Sequence, residues 1–277
     1  MWSILTVLPL KRRISQLDLT EVNEALNFYV RPQTFPVAVR MCRSGEELPA
    51  KVRSPKQDLG TAIAVCQGIS LARRYGWTIA IGQDDESCPH GLFVLGYVPG
   101  RSYLDGSSAE AAGIGSREEF ARVAQGLSWL EYGKYRYLLA APLHTARFEP
   151  HLIVVYGNPA QIARLVQGAV ALTGNPLTTP TRGGIACSSL IARTMLSDEC
   201  QVIVAGAGDR YFALTQDHEL AFTIPLSKVE VTLQGLERGH KSGRHRYPTP
   251  SSLRLDGVLP IAYQQWAELL KKEKEDK

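Results

Sequence analysis

The chain has 277 residues with 31 lysines and arginines against 27 aspartates and glutamates, and 44% of it is hydrophobic. That composition is ordinary for a globular protein able to bury a large core. A net charge of +4 scattered along the chain argues against a nucleic-acid groove. No apolar run reaches the ~18 residues of a membrane span, and MWSILTVLPLKRR carries its basic residues after the apolar segment, the reverse of a secretory signal. A cytoplasmic protein with neither a nucleic-acid nor a membrane partner is expected.

Residues 17–30 place Leu19, Val22, Leu26 and Tyr29 at helical spacing, with Asp18 positioned as a cap and Glu21 three residues on. FPVAVRM follows as a buried strand, β-branched after a proline. LGTAIAVCQGISLARR predicts a helix with Ala62, Val65, Cys66 and Ile69 on one face. WTIAIG predicts a strand ending at Gly82, and HGLFVLGYV is a further apolar run. The next stretch is turn-rich and then helical, with Ser116 and Glu119 spaced as a capping box.

HLIVVY predicts a strand, and GNPAQIARLVQGAVAL a helix with Asn158 as cap and Pro159 in its first turn. TRGGIACSSLIARTM predicts another helix and CQVIVAGAG another strand. LERGHKSGRHRYPTPSS reads as a polar, basic loop, and PIAYQQWAELLKKEKEDK as an amphipathic helix ending in charge. The two central pieces share an order, with gaps: glycine, an apolar turn, Cys66 or Cys187, Ala-Arg, a strand, then glycine with aspartate. The expected fold class is α/β, in two similar strand-helix-strand lobes related by a diverged internal duplication. The lobes would span 1–100 and 146–235, joined by a connection at 101–145 and followed by the basic loop and terminal helix at 236–277.

PVAVR, CQGISLAR, SCPHGLFVLGY, APLHTARFEPHLIVV, GGIACSSLIAR, GAGDR and DHELAFTIP occur in an order that resembles the uncharacterised family DUF169, from about Phe35 to Pro250. The resemblance implies no activity. It implies recurrent cysteines at the positions of Cys66, Cys88 and Cys187. It also implies a further cysteine before the GDR-like element, where this chain has Gly206 or Ala207, so a four-cysteine cluster is not expected.

Five cysteines without a CxxC pair argue against a disulfide framework in a reducing compartment. Cys66 and Cys187 each fall within about two turns of an expected helix start. There a cysteine either packs as a small hydrophobe or has its thiolate stabilised by the helix end. Cys88 lies in polar QDDESCPHG beside His90, a setting for metal or redox chemistry. Cys66, Cys88 and Cys187, with His90 or an outside ligand as fourth, suit a thiolate-bound metal or an iron–sulfur cluster.

His240, Lys241, Arg244 and Arg246 form an anion-binding candidate. Arg182 before a glycine pair, and Asp209 with Arg210 after a strand, are further ligand contacts. No Ser-His-Asp order, HExxH or P-loop signature is present. The expected function is a cysteine-dependent, redox-type cofactor protein that also holds a small anionic molecule or meets a redox partner. The alternatives are a non-redox anion-binding module with core cysteines, and an interaction protein docking through its C-terminal helix.

Overall fold

The computed structural model describes residues 18–243, 245–249 and 259–275. One six-stranded sheet organises them: β1 (Val37–Cys42), β2 (Ile79–Gly82), β3 (Tyr137–Pro142), β4 (Leu152–Gly157), β5 (Gln201–Val204) and β6 (Leu220–Pro225). Their order across the sheet is β2-β3-β1-β4-β6-β5, and every neighbouring pair is antiparallel. The edge strands β2 and β5 are the short ones, which limits exposed backbone.

Among the described residues the helices are α1 (Leu19–Tyr29), α2 (Pro55–Leu59), α3 (Val65–Tyr75) and α4 (Pro89–Val94). The short α5 (Arg101–Leu104), α6 (Ser107–Ala111) and α7 (Arg117–Gln125) follow. The second half adds α8 (Pro159–Val170), α9 (Thr194–Ser197), α10 (Ala207–Phe212), α11 (Val229–Lys241) and α12 (Ile261–Glu275). A π-helical turn, Ser188–Arg193, runs directly into α9.

The expected caps form where their chemistry allows. Asp18 accepts the Thr20 N–H at 2.8 Å, and Ser116 with Glu119 and Asn158 with Gln161 close reciprocal capping boxes. Alternation along the strands divides the core. Val37 and Val39 of β1 and Leu152 and Val154 of β4 face α3, α4 and Leu190–Ala192. Ala38, Ile153 and Val155 face α1, α8 and α11.

The expectation of two lobes is corrected by the β1–β4 pairing, which joins both halves into one sheet. Each of the two large core clusters draws on both halves, so neither half closes a core alone. Matching β1 with β4, β2 with β5 and β3 with β6, the strand order reads the same from either edge. β3 and β6 also both end in proline and lead into a 3₁₀ turn, Leu143–Thr145 and Leu226–Lys228. Helix α8, which follows β4, lies on the opposite face of the sheet from α3.

Three local expectations change. The apolar run HGLFVLGYV is helix α4 and a turn, because Pro89 at the first helical position starts a helix. Residues 236–241 of the basic segment belong to α11, whose last turn carries Arg238, His240 and Lys241 against the negative end of the helix. Strand β3, YLLAAP, lies within the stretch read as turn-rich and helical. It has no β-branched residue to signal it.

Candidate functional site

Helix α3 begins at Val65, so Cys66 is its second residue. Gln67 accepts the Ala64 N–H at 2.8 Å and fixes that start. Past β2, the buried Glu86 carboxylate accepts the Val65 N–H at 2.9 Å and the Cys88 N–H at 2.7 Å. It therefore ties the start of α3 to the start of α4, where Cys88 is the cap and Pro89 the first residue. A Cβ at Gly91 would stand 2.6 Å from that carboxylate, so only glycine allows the approach.

In the second half, Cys187 is the second residue of the helical run that opens at Ala186. Gly206 caps α10, with its N–H donated to the Asp209 carboxylate at 3.2 Å. The parallel in the first half is Gly82, whose N–H donates to Asp85, also at 3.2 Å. The 183–184 and 206 loops touch, since a Cβ on Gly206 would lie 2.9 Å from the Gly184 Cα.

These four helix starts surround one cleft of about 570 Å³, into which Cys66, Cys88, His90, Cys187, Ala207 and Asp209 open. All three cysteines are half-buried, while Cys42 and Cys200 are buried in the core. No lysine or arginine is among the described lining residues. Of the two positions for a further cysteine, Ala207 is exposed to the cleft, whereas Gly206 has no room for a side chain.

Burial, then the charges of Asp209 and Cys88, push the Cys66 thiol up to about 12. Burial raises the thiols of Cys88 and Cys187 as well, and it lifts the Glu86 carboxyl to about 7. Asp209 is raised for the same reason. Without a cation in the cleft these thiols are therefore neutral. His90 is held toward its neutral form by burial, and its Nδ1 meets the Tyr103 hydroxyl. That leaves Nε2 as the ring's second nitrogen for a ligand. Among the described residues no three His, Cys, Asp or Glu side chains form a ready-made cage for a metal ion.

The residues expected to bind an anion are not all brought together. Arg182 donates to the Gly126 carbonyl at 2.7 Å and is exposed, and Arg210 pairs with Asp217 at 3.0 Å. Asp209 stands in the thiol cleft. His240 and Lys241 end α11 on the opposite face of the sheet from α3. Lys241 pairs with Glu237 at 2.6 Å, and Arg246 reaches the His240 carbonyl at 3.3 Å. Arg244 lies outside the described residues.

Three features escaped the pattern of the sequence. Glu86 belongs to the acidic run QDDE, whose composition suits a solvated turn, but it is 4% exposed. Glu219 follows polar TQDH, which suits a hairpin turn, but it takes a bidentate pair from Arg73 at 2.9 and 3.0 Å and a third contact from Arg74 at 3.1 Å. Arg164 on α8 is 2% exposed; its Nη2 donates to the Leu236 carbonyl, and its Nε and Nη1 have no hydrogen-bond partner among the described residues. Burial disfavours the charged imidazole of His240, and the charges of Arg246, Arg164 and Arg31 add to it. No local signal separates Arg164 from a solvated helix arginine. Only its position between α8 and α11 does.

Helices on both faces of one antiparallel sheet, with a cysteine cleft where four helices begin, define an α/β protein with a thiol-lined cleft. The chain belongs to the DUF169 family, described as uncharacterised ArCR, whose profile matches residues 25–235. No curated protein and no solved structure matches it. Among the described residues no helix is long and apolar enough to cross a membrane.

Proposed function

We propose that this protein is a cysteine-dependent cofactor carrier of redox type, holding an iron–sulfur cluster between Cys66, Cys88 and Cys187. One observation carries the reading: three thiols from distant segments open into one cleft at helix starts, with no lysine or arginine among its described lining residues. Helix starts favour thiolates and the negative charge of a thiolate-bound centre. A single tetrahedral ion at ~2.3 Å from each sulfur needs its donors closely gathered, and no such group exists among the described residues. A cluster spaces its cysteines more widely because iron and sulfide lie between them, so the open cleft suits it better than one ion. His90 Nε2 or an outside molecule is the fourth ligand.

We infer, further, that the two halves arose by duplication. The support is the palindromic strand order, the paired Gly-Asp caps and the matched proline ends. On that reading Cys66 and Cys187 are equivalent residues facing each other across the junction.

Protein purified without oxygen is expected to carry iron and sulfide at stoichiometry and to show broad visible absorption. Cys88→Ala is expected to lose most of both while keeping its circular dichroism. Colourless protein with zinc would keep the thiolate site and remove electron transfer. Colourless protein that takes up no metal on anaerobic reconstitution would refute the reading.

A second site, for a small anion, rests on Arg164. A buried guanidinium with two unpaired donors is costly unless an anion answers it. Inorganic phosphate is expected to raise Tm of the wild type and not of Arg164→Met. An equal shift in both would remove this site.

A further inference from the structure

The opposite end of α3 borders a separate cavity of about 620 Å³, walled by α1, residues 32–35 and His144. On α1, Thr20, Asn23, Glu24 and Asn27 face it at i, i+3, i+4 and i+7, one side of a helix whose other side is the core stripe Val22, Leu26 and Tyr29. Asn23 is only 9% exposed, yet its Oδ1 has no hydrogen-bond partner among the described residues. Across from α1, the Nε of Arg74 is also buried and without a partner among the described residues, while its Nη2 donates to Glu219 and the Leu214 carbonyl. Arg73 beneath it is fully engaged by Glu219 and Thr34, so it supplies positive field and no free contact. Glu24 is exposed and has no ion pair among the described residues.

We propose that this cavity binds a small zwitterion, an amino acid or a closely related amino-carboxylate. Arg74 Nε offers a donor beyond the one that meets Glu219, while Asn23 Oδ1 offers a neutral acceptor and Glu24 an anionic one. A carboxylate and an ammonium on one small molecule satisfy all three. A simple anion leaves Asn23 and Glu24 unanswered, and a neutral sugar leaves Glu24 without a cation. Phe35 and His144, with ring centroids 4.9 Å apart and planes inclined at 52°, form an aromatic corner at the rim for the ligand's side chain.

The test uses the full chain, thermal shift and calorimetry with each standard amino acid at millimolar concentration. At least one is expected to raise Tm. Its deaminated carboxylate and its decarboxylated amine are each expected to bind about tenfold more weakly or worse, the loss of one charge-assisted contact. Glu24→Gln, which removes no structural bond, and Asn23→Ala are expected to weaken binding to a similar degree. Cys88→Ala, in the other cleft, is expected to bind as the wild type does. No binding by any amino acid overturns the proposal. So does unchanged affinity in both α1 variants, or a deaminated acid that binds equally well. Loss of binding in Cys88→Ala would move the ligand to the thiol cleft and overturn it too.

Discussion

Arg73, 1% exposed and lying 3.9 Å above the ring of Tyr156, sets the residue scale. Its charge is tolerable because Glu219 answers both guanidinium nitrogens. Removing one partner leaves the other buried and unpaired, so Glu219→Gln is expected to cost about 3–5 kcal/mol in urea unfolding. Burial pushes the Glu219 carboxyl up, but the Arg73 hydrogen bond and charge outweigh it and hold the group below its ordinary value. A depressed carboxylate stabilises the fold at every pH above its unfolded value of ~4.3 and loses that contribution as pH falls through the folded value. Wild type should therefore lose stability more steeply than Glu219→Gln on acidification below about pH 4.3.

The five cysteines divide at the same scale. In metal-free native protein an alkylating agent is expected to reach Cys66, Cys88 and Cys187 slowly, since burial keeps their thiols protonated. Cys42 and Cys200, buried in the core, should react only after unfolding. Peptide mapping of the labelled sites checks this directly. Labelling of Cys200 in folded protein would contradict the packing of α11 over it.

At the scale of elements, the cleft depends on loops that approach more closely than side chains permit. Gly206→Ala places a Cβ 2.9 Å from the Gly184 Cα, where rigid backbone must yield. It is expected to cost about 1–3 kcal/mol and to lower the iron retained after purification. Ala207→Cys, one residue on, meets no such obstacle because Ala207 is exposed to the cleft. It should fold like the wild type and hold iron more firmly against a chelator. Iron loss at the wild-type rate would show that position 207 does not reach the centre. The α8–α11 crossing uses the same device on the other face, where a Cβ on Gly235 would stand 2.0 Å from the Gly168 carbonyl oxygen.

Across the whole molecule, the continuous sheet makes the halves one thermodynamic unit. β1 and β4 pair at its centre, and both large cores span the junction. Far-ultraviolet dichroism and tryptophan fluorescence of residues 18–277 are expected to report one coincident urea transition. Two separated transitions would restore the picture of independent lobes. Helix α12 stands apart from this unit, with Ile261, Trp266, Leu269 and Leu270 exposed.

Local chemistry made much of this legible before any coordinates. Asp18, Ser116 and Asn158 cap their helices because capping is decided within a few residues. Cys66 and Cys187 stand at helix starts because glycine-bearing approaches precede apolar runs, and Cys88 lies in a polar loop ahead of Pro89. All three line one cleft. YLLAAP was illegible as a strand since its neighbours β1 and β2, not its own propensities, hold it in the sheet. The sequence alone thus determined the caps, most elements and the chemical character of the thiol site, all set by short-range propensity and side-chain type. Only the tertiary structure decided the strand order, the single sheet, the burial of Glu86 and Arg164 and the Arg73–Glu219 pair, because each depends on which distant segments pack together.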